Sequence, residues 1–92
     1  MNSKKRTRLD VIYDILAAVR DHHNSIRLTP LLRCANLSSS GFGEYHAELI
    51  GKGFVKEVTD HDGRKYVTLT DKGFRFLERY RMIQGFIDEF EL

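Results

Sequence analysis

Three features of this 92-residue sequence predict a mainly α-helical domain with one small β-hairpin, arranged as a winged helix-turn-helix with an extended C-terminal helix. Apolar residues recur at three- and four-residue steps in four segments, the mark of half-buried helices. Two short alternating segments flank Asp62-Gly63, a strong hairpin signal. The connections are short, so that three helices are followed directly by the hairpin and then by a fourth helix.

The elements follow in order. Thr7 is a good N-cap for a first helix over about 8–21, with Asp10 placed to favour the helix dipole. Ile12, Ile15, Leu16 and Val19 form its buried stripe, and Asn24 is suited to a left-handed cap after His22-His23. Ser25-Ile26-Arg27-Leu28 alternates as a short strand does. Thr29-Pro30 reads as an N-cap with proline at the first helical position, opening a short helix to Ala35 with Leu31, Leu32 and Ala35 for the core. Asn36-Leu37 forms a turn. Ser38 or Ser39 caps a third helix running to about Lys52, with Phe42, Tyr45, Leu49 and Ile50 inward and Gly51 and Gly53 at its end. Residues 54–58 and 65–69 are the hairpin strands, with Asp60-His61-Asp62-Gly63 between them. Thr70 caps the last helix, which reaches close to the C-terminus.

Composition sets further bounds. Apolar residues at 41% and charged residues at 30% fit a folded domain rather than a disordered chain. One core at this length is modest, so self-association is an expected source of stability. No apolar run is long enough to span a bilayer, and Met1 to Arg6 contains no signal-peptide core, which gives a cytoplasmic location as the expectation. The net charge of +2 is unevenly spread. Residues 1–8 carry Lys4, Lys5, Arg6 and Arg8 without an acid, whereas Asp88, Glu89 and Glu91 close the chain without a base. Without those three acids, 15 basic residues face 10 acidic ones, a balance that permits contact with a polyanion. The division expected is a basic arm at 1–6, a winged domain at 7–70, and a dimerisation helix with an acidic tail at 71–92.

Cys34-Ala35-Asn36-Leu37-Ser38, then Leu49-Ile50-Gly51-Lys52-Gly53-Phe54-Val55, then Leu69-Thr70-Asp71-Lys72-Gly73 form a recognisable series, extended upstream by Arg8-Leu9-Asp10-Val11-Ile12. Over residues 7 to 85 the chain resembles archaeal winged-helix regulators, a group that includes small ten-kilodalton chromatin proteins with a C-terminal coiled-coil helix. The Leu-Thr-x-Lys-Gly step recurs in many winged-helix groups. The resemblance implies DNA binding, dimerisation through the last helix, and a role in transcription or chromatin architecture. The last helix is shorter here and ends in an acidic, aromatic tail.

In such a fold the third helix enters the major groove and the wing lies along the backbone or the minor groove. The residues expected to be exposed on the third helix are Ser39, Ser40, Gly43, Glu44, His46, Ala47 and Glu48. Small residues in its first turn let backbone amides approach phosphate; Ser40 and His46 can donate to phosphate or base edges, and Glu44 can accept from cytosine. No Arg or Lys precedes Lys52 on this helix, so affinity is expected mainly from backbone contacts with modest sequence preference. The wing contributes His61, Arg64 and Lys65, suited to a phosphate or a narrow minor groove. Lys4, Lys5, Arg6 and Arg8 can track phosphates, and Arg27, Arg33, Lys52 and Lys56 can clamp the backbone. Ordinary solvated charges are the alternative for each.

On the last helix Phe76, Tyr80, Ile83, Ile87 and Phe90 repeat at four, three, four and three residues, a heptad pattern widened by Leu77 and Phe86. Phe74 to Tyr80 is expected to pack on the core, and the far end to project as an interface between two copies. Phe76, Tyr80, Ile83, Phe86, Ile87 and Phe90 are the expected dimer contacts.

No enzyme, metal or cofactor is expected. His22, His23, His46 and His61 lie on different elements, and the single Cys34 is read as a small core hydrophobe. No glycine loop suited to phosphate cradling is present. The partners expected are double-stranded DNA and a second copy of the chain, without a membrane. The alternative is a winged helix used for protein contact, favoured by Glu44, Glu48 and the acidic C-terminus.

Overall fold

Thr7 opens the first helix as its sequence position predicts. In the computed structural model, which describes residues 6–92, α1 spans Arg8–Asp21. The Thr7 hydroxyl accepts from the Asp10 amide and the Asp10 carboxylate accepts from the Thr7 amide, each at 3.1 Å. This reciprocal capping box satisfies two donors that the helix itself leaves unpaired. Ile12, Ile15, Leu16 and Val19 are buried, as their spacing requires. His23 and Asn24 then take left-handed conformations, with φ of 60° and 59°. Asn24 does more than end the helix: its side-chain oxygen accepts from the Leu69 amide at 2.7 Å, joining the end of α1 to the hairpin.

The short strand is β1, Ile26–Arg27, and α2 follows at once as Leu28–Cys34. Arg27, not Thr29, is the capping residue, and no side chain caps the helix. Pro30 therefore lies in the middle of the first turn, where its missing N–H forfeits no intrahelical bond. Leu31 and Ala35, four residues apart, take the core face of this short helix. Cys34 is thereby turned outward and is exposed, contrary to its expected burial.

Ser38 caps α3, Ser39–Gly51, through a bond from the Gly41 amide. Phe42 and Leu49 are buried and Tyr45 is half-buried, while Ile50 at the end of the stripe is exposed. Gly53 takes φ 79°, turning the chain into β2, Val55–Thr59, one residue later than expected. Phe54, expected within the strand, instead offers its carbonyl to the Thr70 amide. The strand β3 is Lys65–Leu69. At the wing tip the Gly63 amide bonds to the Asp60 carbonyl and Gly63 takes φ 82°, while Asp60 Oδ1 accepts from the amides of Asp62 and Arg64. This is a type I turn completed by a left-handed glycine, one of the common three-residue hairpin loops.

The sheet is antiparallel in the order β1-β3-β2. Its inward residues Ile26, Val55, Val67 and Leu69 close the core against α1, α2 and α3. Each fully buried aliphatic side chain contributes about 1.5–3 kcal/mol.

The last helix, α4, spans Asp71–Glu89 and is capped by Thr70, whose hydroxyl accepts from the Gly73 amide. Gly73 is buried, and a Cβ placed there would lie 2.3 Å from the Phe54 carbonyl oxygen. The recurring Leu-Thr-x-Lys-Gly step is thus a fitted joint. Thr70 donates to the carbonyls of Gly53 and Phe54, Lys72 donates to the Lys52 carbonyl, and glycine lets α4 rest on the chain leaving α3.

Leu77 is buried, and Phe76 packs edge-on to Phe54 with 5.7 Å between centroids. Tyr80 stacks on Tyr13 at 4.3 Å and donates to Asp10. Phe74, expected to pack inward, faces solvent, because Gly73, Phe76, Leu77 and Tyr80 define the buried side. Beyond Tyr80 the helix runs past the body, and the molecule measures 49 × 28 × 22 Å.

Candidate nucleic-acid interface

The helix-turn-helix pair is α2 and α3, joined through Asn36, which takes φ 57° to reverse the chain. Ser39, Ser40, Gly43, Glu44 and Ala47 are all exposed and share one side of α3 at helical spacing. That side has little relief. A Cβ at Gly43 would meet nothing within 4 Å, and Glu44 is its only long side chain. A surface of this kind lets the helix backbone come close to a flat partner.

His46 does not belong to that surface. Its side chain is only 13% exposed; Nε2 is 2.8 Å from Glu57 on β2, and the ring stacks on Phe42 at 5.2 Å. Its Nδ1 is buried without a partner. The histidine therefore ties α3 to the wing rather than offering a free donor, contrary to expectation. Glu48 is also partly covered, since it pairs with Lys52 at 2.8 Å and with Arg8.

The basic arm divides in a way the sequence did not indicate. Lys4 and Lys5 lie outside the described residues. Arg6 pairs with Asp14 at 2.8 Å and donates to the carbonyls of Ala35 and Asn36, stapling α1 to the turn between α2 and α3. Arg8 is the first residue of α1, pairs with Glu48 and lies over the Tyr45 ring. These two arginines hold the body together instead of extending from it, and Lys52 is likewise engaged. Arg6 and Arg8 owe this to groups distant in sequence, and Lys52 to an acid one turn back on α3.

A different set of cations stays available. Arg27, Arg33, Lys56, Arg64 and Lys65 are exposed and carry no ion pair among the described residues. Arg64 and Lys65 follow the wing tip, and His61 at the tip is almost fully exposed beside Asp62. Arg27 and Lys65 are brought together as walls of one recess. Arg33 stands apart on α2.

On α4, Phe76 and Tyr80 are spent on contacts with their own domain and leave the expected set of dimer contacts. Ile83, Phe86 and Phe90 remain 57%, 56% and 57% exposed, and Met82, absent from that set, is 66% exposed. Ile87 is half-buried. Among the described residues no helix is long and apolar enough to cross a membrane.

A three-helix core, an antiparallel wing and a paired α2-turn-α3 define a winged helix-turn-helix protein. The sequence profile described as winged helix-turn-helix matches residues 5–87, and the chain belongs to that family. No curated protein matches significantly in sequence. Among solved structures the chain is similar to Sso10a-2, a DNA-binding protein from Sulfolobus solfataricus, with a TM-score of 0.75 at 20% identity, covering 94% of this chain and 86% of that one. It is also similar to the PcaV transcriptional regulator from Streptomyces coelicolor, with a TM-score of 0.69 at 25% identity, covering 92% of this chain and 65% of the regulator. A MarR family transcriptional regulator from Silicibacter pomeroyi gives a TM-score of 0.67 at 16% identity, covering 88% of this chain and 52% of that one.

Proposed function

We propose that this protein binds double-stranded DNA as a homodimer, acting in the cytoplasm as a transcription regulator or an architectural DNA-binding protein. The observation that carries this reading is the pairing of a low-relief outer side of α3 with a wing whose Arg64 and Lys65 form no ion pair among the described residues. Unpaired cations beside a protruding hairpin suit phosphate, and a helix bare of large side chains suits close approach to a groove. The similar structures, those of a DNA-binding protein and of transcription regulators, favour the same reading. Glu44 is the one charged group on the outer side of α3, so sequence preference is modest and affinity comes mostly from the backbone. Residues 71–92 supply the dimerisation helix, through the apolar side bearing Met82, Ile83, Phe86 and Phe90.

Titration of the intact protein with a duplex of arbitrary sequence, at low and at moderate salt, tests the proposal. Binding that weakens steeply as salt rises is expected. Failure to bind at low salt would assign the fold to protein contact instead.

A further inference from the structure

Most arginines and lysines with a structural duty in this molecule are paired with an acid: Arg6 with Asp14, Arg20 with Asp21, and Lys52 with Glu48. Arg27 and Lys65 are not. Arg27 ends β1 opposite Tyr66, and Lys65 opens β3 one residue before Tyr66, so the two cations start from adjacent rungs of one antiparallel ladder. Together they line a recess of about 400 Å³ completed by Leu28, Thr29 and Pro30 at the start of α2. Among the described residues no carboxylate lines it, and Thr29 is part of its wall. Two cations in one concavity repel each other unless an anion lies between them. Arginine offers a fork matched to phosphate oxygens, and lysine adds a point charge.

We propose that this recess holds one phosphodiester of duplex DNA, shared by Arg27 and Lys65. The proposal rests on the DNA-binding reading and extends it from the wing tip to the neighbouring junction of β1 with α2. The location favours a DNA phosphate: in helix-turn-helix proteins the first helix of the pair crosses the backbone while the second enters the groove, and the recess lies at the entrance to α2. The duplex is then gripped along one continuous stretch, from Arg64 at the wing tip across Lys65 to Arg27 at the end of β1.

Sharing has a measurable signature. A cation left alone still neutralises most of a shared phosphate, whereas cations serving separate phosphates lose their counterion release independently. The test is binding of a labelled duplex as a function of salt for the wild type, Arg27→Gln, Lys65→Gln and the double variant. Both side chains are exposed, so the fold is retained, and circular dichroism checks this. The double variant is expected to lose affinity roughly tenfold, with the salt slope falling by about one per protomer and by clearly less in each single variant. A slope unchanged in the double variant, or a fall of about one in each single variant and about two in the double, overturns the proposal. So does a Thr29 amide resonance that moves with inorganic phosphate while the double variant keeps its DNA slope, since the recess would then serve a free anion. Absence of wild-type binding at low salt removes the DNA-binding reading itself, an outcome distinct from wild-type binding with an unaltered double variant.

Discussion

Gly73 is placed so that a single methyl group has nowhere to go. The obstacle is the Phe54 carbonyl, a backbone atom that no rotamer change can move aside. Gly73→Ala is therefore expected to destabilise the fold by about 2 kcal/mol, measured by chemical denaturation. Gly43→Ala, on the open side of α3, is expected to stabilise it by about 0.5–1 kcal/mol, because glycine is a poor helix interior residue. Equal effects at the two positions would mean that Gly73 is not a packing joint. Tyr80 has a different constraint. Its hydrogen bond to Asp10, then burial, then the negative charges of Asp10 and Asp14 push its hydroxyl up to about 12 from the ordinary 10. A folded-state value above the unfolded one contributes stability that is complete below pH 10 and lost as the pH climbs through 12. Phenolate absorbance should show one of the four tyrosines titrating late, and Tyr80→Phe should abolish that component. Absence of any late component in the wild type would contradict the assignment.

Between elements, the contact that most affects the candidate interface is His46 with Glu57, which fixes the wing relative to α3. A double-mutant cycle with His46→Ala and Glu57→Gln is expected to give a coupling of about 0.5–1 kcal/mol, typical of a pair that is partly covered. A coupling of zero would mean that the wing is positioned by the sheet alone. The sequence foretold the order of elements because caps, spacing and turn chemistry are local: the Thr7 cap, the Asp62-Gly63 turn and the Thr70 cap all formed as their residue types dictate. It foretold the functional surface less well. Periodicity reports which side of a helix is covered, not which distant side chain will capture a charge. Arg6 finds partners 29 and 30 residues away, and Arg8 finds Glu48. Two cations assigned to DNA thus became staples, while Arg27, named only as a backbone clamp, acquired a recess with Lys65. The N-cap of α2 fell at Arg27 because β1 runs directly into the helix, leaving Thr29 already inside it.

At the level of the whole molecule, the far half of α4 is too apolar for water. With Met82, Ile83, Phe86 and Phe90 all more than half exposed, the isolated chain shows an apolar side that a second copy would cover. Sedimentation of the intact protein is expected to give a dimer, and Phe86→Glu or truncation after Arg81 a monomer. A monomer in every case would exclude the paired assembly. The root of α4 is fixed by Gly73 against Phe54 and by Tyr80 against Tyr13, so the part of the helix past Tyr80, residues 81–89, extends from the body as a stiff spar about 14 Å long. One residue inserted beyond Arg81 would swing everything past it by about 100° and advance it by about 1.5 Å, whereas seven would restore the facing at about 10 Å greater reach. The length of this spar thus acts as a ruler, and the spacing between two bound half-sites would be written in the count of residues after Tyr80.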